Sequence, residues 1–449
     1  MRILLLNPPA PHLLLRDYYC AETAKADYLW PPLDLLLMSG ALKDRSDVCV
    51  LDAVAEGLGA DAALSRVQQM RPDWIIALVG GFRLDLDMAF LRRAADLCSA
   101  PLILSGDIPR FDPVRVLKRY PWVHGTVQDF ADPSLADYFL QAKDTPALVL
   151  RDHPCAPSAA SSSGVLHYPL PGHELFPLSR YRLALLAPHG RPITCVLTRL
   201  GCPFRCRYCA FPSLPRRERP LADILAEWDH LERLGVRGIF VRDLTLGPSR
   251  ERILELSGAL AGRGGRIPWV CEARLELLDR ECLEAMRDAG CRCILFGLES
   301  PDADRLRAMD RPSSPARILE NAAACRALGI RTLAHMMYGF PGESWGESLR
   351  TLRCALSIPV DFLSWNRYVP RFGSLMRSDL AGRSMTDEGE QDLDVSLPKS
   401  RWRWLLPLTS ALFYLHPRRA RLLLRLLGLR GILAQMRNLW QRTFAPPSW

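Results

Sequence analysis

Beyond Asp394 this 449-residue chain has no acidic residue at all. Lys399, Arg401, Arg403, Arg418, Arg419, Arg421, Arg425, Arg430, Arg437 and Arg442 place ten positive charges there. The remaining 48 basic residues face 49 acidic ones, so the body is near neutral and the formal excess of +9 belongs to the last segment. No run reaches the roughly 18 apolar residues that a membrane-spanning helix needs. The opening Met1-Arg2-Ile3-Leu4-Leu5-Leu6-Asn7-Pro8-Pro9 is too short in its apolar part and lacks a small-residue cleavage site, so it reads as a first strand and not as a targeting sequence. Fourteen cysteines occur without the small frame of a disulfide scaffold, which points to a reducing, cytoplasmic setting. Neither a second Cys-x-x-Cys nor a His-x-x-x-His follows at zinc-finger distance, an argument against structural zinc. With 49% hydrophobic and 24% charged residues the chain is an ordinary globular one, long enough for two or three domains.

What stands out against this background is Leu200-Gly201-Cys202-Pro203-Phe204-Arg205-Cys206-Arg207-Tyr208-Cys209-Ala210-Phe211. Free thiols of the core and a zinc site are the plain alternatives for such a group. Three thiolates four and three residues apart can also converge on one iron-sulfur cluster, and a cubane with three protein ligands keeps one iron open to a small molecule. The apolar stretch Ile193-Thr194-Cys195-Val196-Leu197-Thr198 before them reads as a buried strand, which puts the cysteines on the loop at its carboxyl end, where parallel α/β folds bind ligands. The spacing resembles the signature of the radical S-adenosylmethionine (SAM) enzymes. That resemblance implies a 4Fe–4S cluster on Cys202, Cys206 and Cys209, with its fourth iron chelated by the amino and carboxylate groups of SAM. It also implies that reduction of the cluster cleaves SAM to a 5′-deoxyadenosyl radical, with an electron donor such as flavodoxin or ferredoxin as partner.

Residues 1–145 alternate short apolar runs with helical patterns: Ile3-Leu6, Leu33-Leu42, Val48-Asp52, Ala62-Met70, Trp74-Val79, Phe90-Cys98 and Pro101-Leu104. Strand and helix in turn predict an α/β, doubly wound, Rossmann-like parallel sheet. The opening strand ending in Asn7-Pro8-Pro9, the Trp30-Pro31-Pro32-Leu33 turn and the strand ending at Asp52 resemble the N-terminal domain of the cobalamin-binding radical SAM group. Gly80-Gly81 and Ser105-Gly106-Asp107 fall at strand ends, where glycine lets backbone approach a nucleotide-like tail. A Rossmann-like domain that only packs against its neighbour is the alternative. The Asp-x-His-x-x-Gly sequence that supplies a cobalt-ligating histidine in many cobalamin proteins is absent, and neither His12 nor His124 sits in such a setting. Cobalamin is therefore expected without that ligand.

Residues 146–189 read as a connector, with Cys155-Ala156-Pro157-Ser158-Ala159-Ala160-Ser161-Ser162-Ser163-Gly164 as exposed linker. Over residues 190–375 strands Gly238-Asp243, Trp269-Ala273, Cys293-Leu298 and Arg331-Tyr338 alternate with helices Leu221-Leu234, Arg252-Arg263, Glu281-Ala289 and Pro315-Leu328. These units predict a partial TIM-type (β/α)6 barrel, about six parallel strands with the site at their carboxyl ends. The family resemblance places Tyr208 near the adenine of SAM and Asp243 near the site. Arg274, ending its strand, could pair with the SAM carboxylate by a forked hydrogen bond, and Glu299 could accept from ribose or amine; surface ion pairs are the alternative for each. Met337-Tyr338-Gly339-Phe340-Pro341-Gly342-Glu343-Ser344 resembles the Gly-Leu-Pro-Gly-Glu segment of radical SAM barrels, with Gly339 and Gly342 allowing a tight turn.

A related class, the methylthiotransferases, carries three further N-terminal cysteines, which raises Cys20, Cys49 and Cys98 as candidates. Cys49 lies in a strand pattern and Cys98 in a helical one, which favours burial over ligation. Residues 376–449 form a helical, basic, amphipathic region in which Arg418, Arg421, Arg425 and Arg430 recur as on one helix face, with leucines opposite and Trp402, Trp404, Trp440 and Trp449 nearby. Such a segment fits peripheral contact with an anionic membrane face or packing on the barrel with a basic face to solvent. Nucleic acid is not expected, since the leucine content exceeds what phosphate binding requires. The resemblance implies methyl transfer to an unactivated carbon if cobalamin is bound, and otherwise another radical step such as cyclisation, oxidation or C–C bond formation. A noncatalytic adaptor stapled by metal would keep the cysteines without needing Arg274 or Glu299. The expected substrate is a small molecule, lipid-like or an apolar natural-product scaffold.

Overall fold

The computed structural model describes residues 1–18, 21–81, 84–141, 143–152, 163–186, 190–211, 214–247, 249–340, 342–368, 373–379 and 399–444. Its N-terminal sheet comprises β1 (Arg2–Asn7), β2 (Asp47–Asp52), β3 (Trp74–Leu78), β4 (Leu102–Ser105), β5 (Gly125–Val127) and β6 (Leu148–Leu150) in the order β2-β1-β3-β4-β5-β6. All neighbours are parallel except β6, which runs antiparallel to β5 and carries the sheet past residue 145. Alternate residues of β1 are buried in opposite directions. Ile3 and Leu5 pack with Leu35, Leu36 and Leu135, whereas Leu4 and Leu6 pack with Ala63, Leu64 and Leu91. Helices Leu33–Lys43 and Leu135–Gln141 thus cover one face and Ala60–Met70 and Leu84–Cys98 the other. A strand covered on both faces needs a continuous apolar run, which is what β1 has.

The strand order reverses between β1 and β3, the place where open α/β sheets form a crevice. Arg16 fills it. Its guanidinium meets Asp87 at 2.6 Å and donates to Asn7 Oδ1 and the Pro8 carbonyl at 2.9 Å each, and both members of the ion pair are almost wholly buried. Removing one partner of such a pair would leave a buried charge, at a cost of about 3–5 kcal/mol. Neighbouring strand ends are tied in the same way: Asn7 donates to Asp52 at 2.8 Å, the Gly80 N–H to Asp87 at 3.3 Å and the Gly81 N–H to Asp107 at 3.1 Å. Gly106, at φ 124°, lies so close to the Val79 carbonyl that a Cβ would collide with it.

The second sheet runs in sequence order, all parallel: β7 (Ile193–Val196), β8 (Gly238–Val241), β9 (Trp269–Glu272), β10 (Cys291–Glu299), β11 (Arg331–Tyr338) and β12 (Phe362–Arg367). The sheet is open, with β7 and β12 at its edges. Ile239, Val241, Trp269, Cys271 and Ile294 point to the outer helices, onto Ile224, Trp228, Leu256, Leu283 and Ile318. Phe240, Val270, Cys293, Leu295 and Phe362 point the other way and share one apolar cluster with Trp30 and the N-terminal sheet. The rings of Trp30 and Phe240 meet edge to face, 5.2 Å apart.

Most of the expected linker, residues 153–162, lies outside the described residues, as do Cys20, Pro341, Asp394 and Trp449. After it the connector is a packed strap: Ser163–Val165 pairs with Arg216–Glu218, and Leu166, Tyr168, Phe176 and Tyr181 are buried. At the C-terminus, helix Lys399–Leu415 is followed by Pro417–Phe444, which is kinked at Gly428. Trp402 and Phe413 are buried, with the Trp402 ring 4.9 Å from that of Tyr338, and Arg419 donates to the Ile358 carbonyl at 2.7 Å. Leu422, Leu423 and Leu426 pack on the main core, so the leucines opposite Arg418, Arg421 and Arg425 cover protein. Among the described residues no helix is long and apolar enough to cross a membrane.

One buried acid gives the N-terminal sheet a pH signature. Asp34 accepts from the Tyr18 N–H and Ser105 Oγ at 2.9 Å each, and burial, aided by Asp17, pushes its carboxyl up to about 7. A folded value above the unfolded one means that this group's stabilisation is complete below the unfolded value near 4 and is lost as pH rises through about 7. Denaturant titrations of wild type and Asp34→Asn should therefore diverge between about pH 4 and 7, wild type losing up to ~1.4 kcal/mol per pH unit relative to the variant. A constant difference across that range would contradict the assignment.

Candidate functional site

The cysteine loop is clasped at its base. After β7, Arg199–Leu200 pairs antiparallel with Arg217 and Glu218, closing residues 201–216 into one loop. Gly201 begins it at φ 76°, and a side chain there would run into the Pro215 carbonyl. Within the loop the Cys209 N–H bonds the Cys206 carbonyl at 3.0 Å. The Arg207 N–H reaches the Met309 carbonyl at 2.9 Å and its carbonyl accepts from the Met376 N–H at 3.0 Å, so the loop is pinned to the end of helix Ala303–Ala308 and to helix Leu375–Asp379. Cys206 is buried, Cys202 and Cys209 are half-buried, and none of the three is in a disulfide. Burial pushes the Cys202 thiol up; the Phe204 N–H opposes this, as do Arg199 and Arg274. Among the described residues no three His, Cys, Asp or Glu side chains stand as a preassembled ligand group: the cysteines share a loop, but their sulfur atoms are not gathered around one point. The donor set of three cysteines outside any disulfide, within one clasped loop, nevertheless suits an iron-sulfur cluster.

Asp243, at the end of β8, holds the exit of β7. Its carboxylate accepts from the Thr198 and Arg199 N–H groups at 2.7 and 3.1 Å and from the Thr198 hydroxyl, and burial still raises it to about 6. Arg274, after β9, donates from Nε and Nη2 to Glu276 Oε1 at 2.9 and 2.7 Å, and its guanidinium lies 4.0 Å from the centre of the Phe204 ring. Both residues thus brace the loop, and the fork of Arg274 is occupied by Glu276. Tyr208 donates to Glu299 Oε1 at 3.3 Å. Glu299 ends β10 at φ 61°, rare for a non-glycine residue, beside a register shift against β11. Gly297 makes room for this: a Cβ there would overlap the Glu299 carboxylate and crowd Arg311. Burial raises the Glu299 carboxyl, with the Arg311 guanidinium opposing. The Met337–Ser344 turn has Gly339 and Gly342 at positive φ as expected, and Glu343 accepts the Gly339 and Phe340 N–H groups at 2.6 and 3.1 Å.

Several groups near these residues carry no signal in the sequence. Arg311 Nε and Glu276 Oε2 are buried without a hydrogen-bond partner. Over the middle of β11 and β12, Lys25 Nζ donates to Ser364 Oγ at 3.3 Å and to Asn366, which lies 3.3 Å from His335 Nδ1. Ser364 and Asn366 do alternate along one strand face, but Lys25 comes from a segment over three hundred residues away, beyond the reach of any local pattern. Cys49 and Cys98 are half-buried, their thiols against the Ile3 and Val67 carbonyls at 3.6 and 3.8 Å.

Residues 196–355 match the radical SAM superfamily. An uncharacterized methyltransferase of Pyrococcus horikoshii is 22% identical over 83% of this chain and 82% of its own length. The hopanoid C-2 methylase of Rhodopseudomonas palustris is 29% identical over 51% of this chain, which spans 44% of that enzyme; ribosomal protein uS12 methylthiotransferases match over shorter stretches. The fold is that of the radical SAM methyltransferase TsrM from Kitasatospora setae, solved with cobalamin and a 4Fe–4S cluster bound: TM-score 0.65 and 17% identity, over 86% of this chain and 79% of that one. The cysteine loop lies inside the matched region, so residues 196–355 carry a radical SAM domain, of a superfamily whose enzymes work with a 4Fe–4S cluster and SAM.

Proposed function

We propose that this protein is a cobalamin-dependent radical SAM methyltransferase acting on a carbon of a largely apolar small molecule, with residues 1–145 as the cobalamin-binding unit and 190–375 as the radical SAM core. The observation that carries the reading is that the likeness to cobalamin-bound TsrM extends over 86% of the chain and so takes in both sheets, not the cysteine-bearing one alone. When bound, the cluster, SAM and cobalamin would supply radical generation and the transferable methyl group, with electrons from a flavodoxin- or ferredoxin-like donor.

The chain's own residues have separable tasks in this reading. Cys202, Cys206 and Cys209 hold the cluster. Asp243 and Arg274 position their loop. Arg311 Nε and Glu276 Oε2, a buried donor and acceptor of opposite charge, match the carboxylate and ammonium of the amino-acid end of SAM. Tyr208 and Glu299 line the same side. Lys25, His335 and Asn366 would orient one polar end of the substrate. The β1–β3 crevice is filled by Arg16 and Asp87, so cobalamin would be held above it by the strand-end loops at Gly80-Gly81 and Ser105-Gly106-Asp107, and no histidine motif supplies cobalt with a ligand.

Replacing Cys202, Cys206 or Cys209 by Ala should leave a folded protein by circular dichroism that retains little iron and forms no 5′-deoxyadenosine from SAM under dithionite. A triple variant working at the wild-type rate would overturn the cluster assignment.

Expression in cobalamin-replete cells should yield protein with bound corrinoid, and electron paramagnetic resonance of its reduced form should show no coupling to a protein imidazole nitrogen. Protein that holds iron and cleaves SAM but retains no corrinoid would move the reading to a non-methylating radical reaction.

A further inference from the structure

Helix Lys399–Leu415 presents apolar side chains on two opposite faces. Trp402 and Phe413 are buried against the second sheet, and Thr409 lies on the same side. On the other side Trp404, Leu408, Leu412 and Leu415 are 65%, 57%, 48% and 72% exposed. Spacings of four, four and three residues align these side chains as one stripe along the helix. After the Gly428 kink, Leu429 and Leu433 are exposed as well. From His416, the residue after Leu415, the chain lines a cleft of about 530 Å³ with Arg326, Arg331, Arg418, Arg421 and Arg425, and Asp361 is its one acidic side chain. Asp361 is engaged by the Thr332 N–H at 3.0 Å and by Arg418 at 3.3 Å.

We propose that this stripe and cleft form a docking surface for an anionic lipid bilayer, with Trp404, Leu408, Leu412 and Leu415 entering the acyl boundary and the arginines facing lipid phosphate. Charge selects the occupant. From residue 395 onward there are ten cations and no anion, so a second copy of this chain would bring like charges together at the same face. Nucleic acid would use the arginines but gain nothing from an exposed leucine stripe. A bilayer surface uses both, because tryptophan and leucine partition to the interface while arginine pairs with anionic headgroups. The placement differs from what the helical pattern of Arg418 to Arg430 suggests: Leu422, Leu423 and Leu426 pack half-buried against the core, and the longer exposed apolar stripe belongs to the preceding helix.

The test uses the full chain with phosphatidylcholine vesicles prepared with and without phosphatidylglycerol. The wild type should co-sediment with the anionic vesicles, hardly with the zwitterionic ones, and less in high salt without complete release, since polybasic attraction is screened and apolar insertion is not. Leu408→Glu/Leu412→Glu should weaken binding at least about tenfold while circular dichroism and SAM cleavage stay at wild-type level. Arg421→Gln/Arg425→Gln, on the other helix, should abolish the preference for anionic lipid and keeps the test decisive if the first variant misfolds. Wild-type binding to neither vesicle, or equal binding by both variants, overturns the proposal. So does concentration-dependent dimerisation that Leu408→Glu/Leu412→Glu removes, which would assign the stripe to a second copy.

Discussion

Arg242 brings a guanidinium into the contact between the two sheets, and the placement of everything around the cysteine loop follows from how that charge is satisfied. Its backbone N–H bonds the Val196 carbonyl at 2.8 Å, continuing the pairing of β7 and β8 by one residue. Its side chain, only 5% exposed, then meets Asp17 at 2.9 Å and Glu272 at 3.1 Å and lies over the rings of Trp30 and Phe240 at 4.8 and 4.9 Å. A cation this deeply buried needs carboxylates close by. One comes from the N-terminal segment and one from β9, so satisfying Arg242 locks the carboxyl end of the second sheet against residues 17–30. The cysteine loop, which leaves from the neighbouring strand β7, is thereby held facing the N-terminal half of the chain.

Once the sheets are set, short-range constraints shape the loop. Asp243 gathers two backbone N–H groups and a hydroxyl at the exit of β7, and the Arg199–Leu200 pairing closes the base. On the far side, Glu299 adopts a left-handed backbone that costs of order 1–3 kcal/mol in general. It is tolerated because Gly297 leaves space for the carboxylate and because Arg311 and Tyr208 hold it in place. Strain kept at the carboxyl end of a central strand, beside buried polar atoms without partners, belongs to a binding site more than to a stability device.

Much of this was written in local pattern. Continuous apolar runs marked β1 and β3, and helix–strand alternation marked β8 to β11, because burial on both faces leaves little room for polar residues. The sixth strand, β12, was harder to see: Phe362-Leu363-Ser364-Trp365-Asn366-Arg367 mixes polar with apolar side chains at a half-buried edge. The short elements Gly125–Val127 and Leu148–Leu150 are too brief to show a period. Spacing alone picked out the cysteines, and strand ends picked out Asp243, Arg274 and Glu299. Distant partners were not visible: Glu276 lies only two residues from Arg274, but a hydrogen bond such as Lys25 to Asn366 depends on which side chains the tertiary fold brings together.

The electrostatic surroundings of the cysteines follow from those partners. Arg199 and Arg274 come from two strand exits and Arg311 from the loop after helix Ala303–Ala308, and each is steadied by a carboxylate: Arg199 by Glu218 at 3.3 Å, Arg274 by Glu276 at 2.7 Å, Arg311 by the nearby charge of Glu299. Arg199 and Arg274 favour the thiolate of Cys202, and the charge of Cys206 acts on Arg311 in the same sense. Cations fixed in position before a ligand arrives stabilise added negative charge without having to reorganise, which is worth more in a partly dry site than in water. As ligands of a cluster the three cysteines would bring such negative charge to one loop. The carboxylates therefore act at one remove: by fixing the arginines they set the field around the cysteines, Glu276 sharing the Arg274 guanidinium with the Pro312 carbonyl and the Phe204 ring.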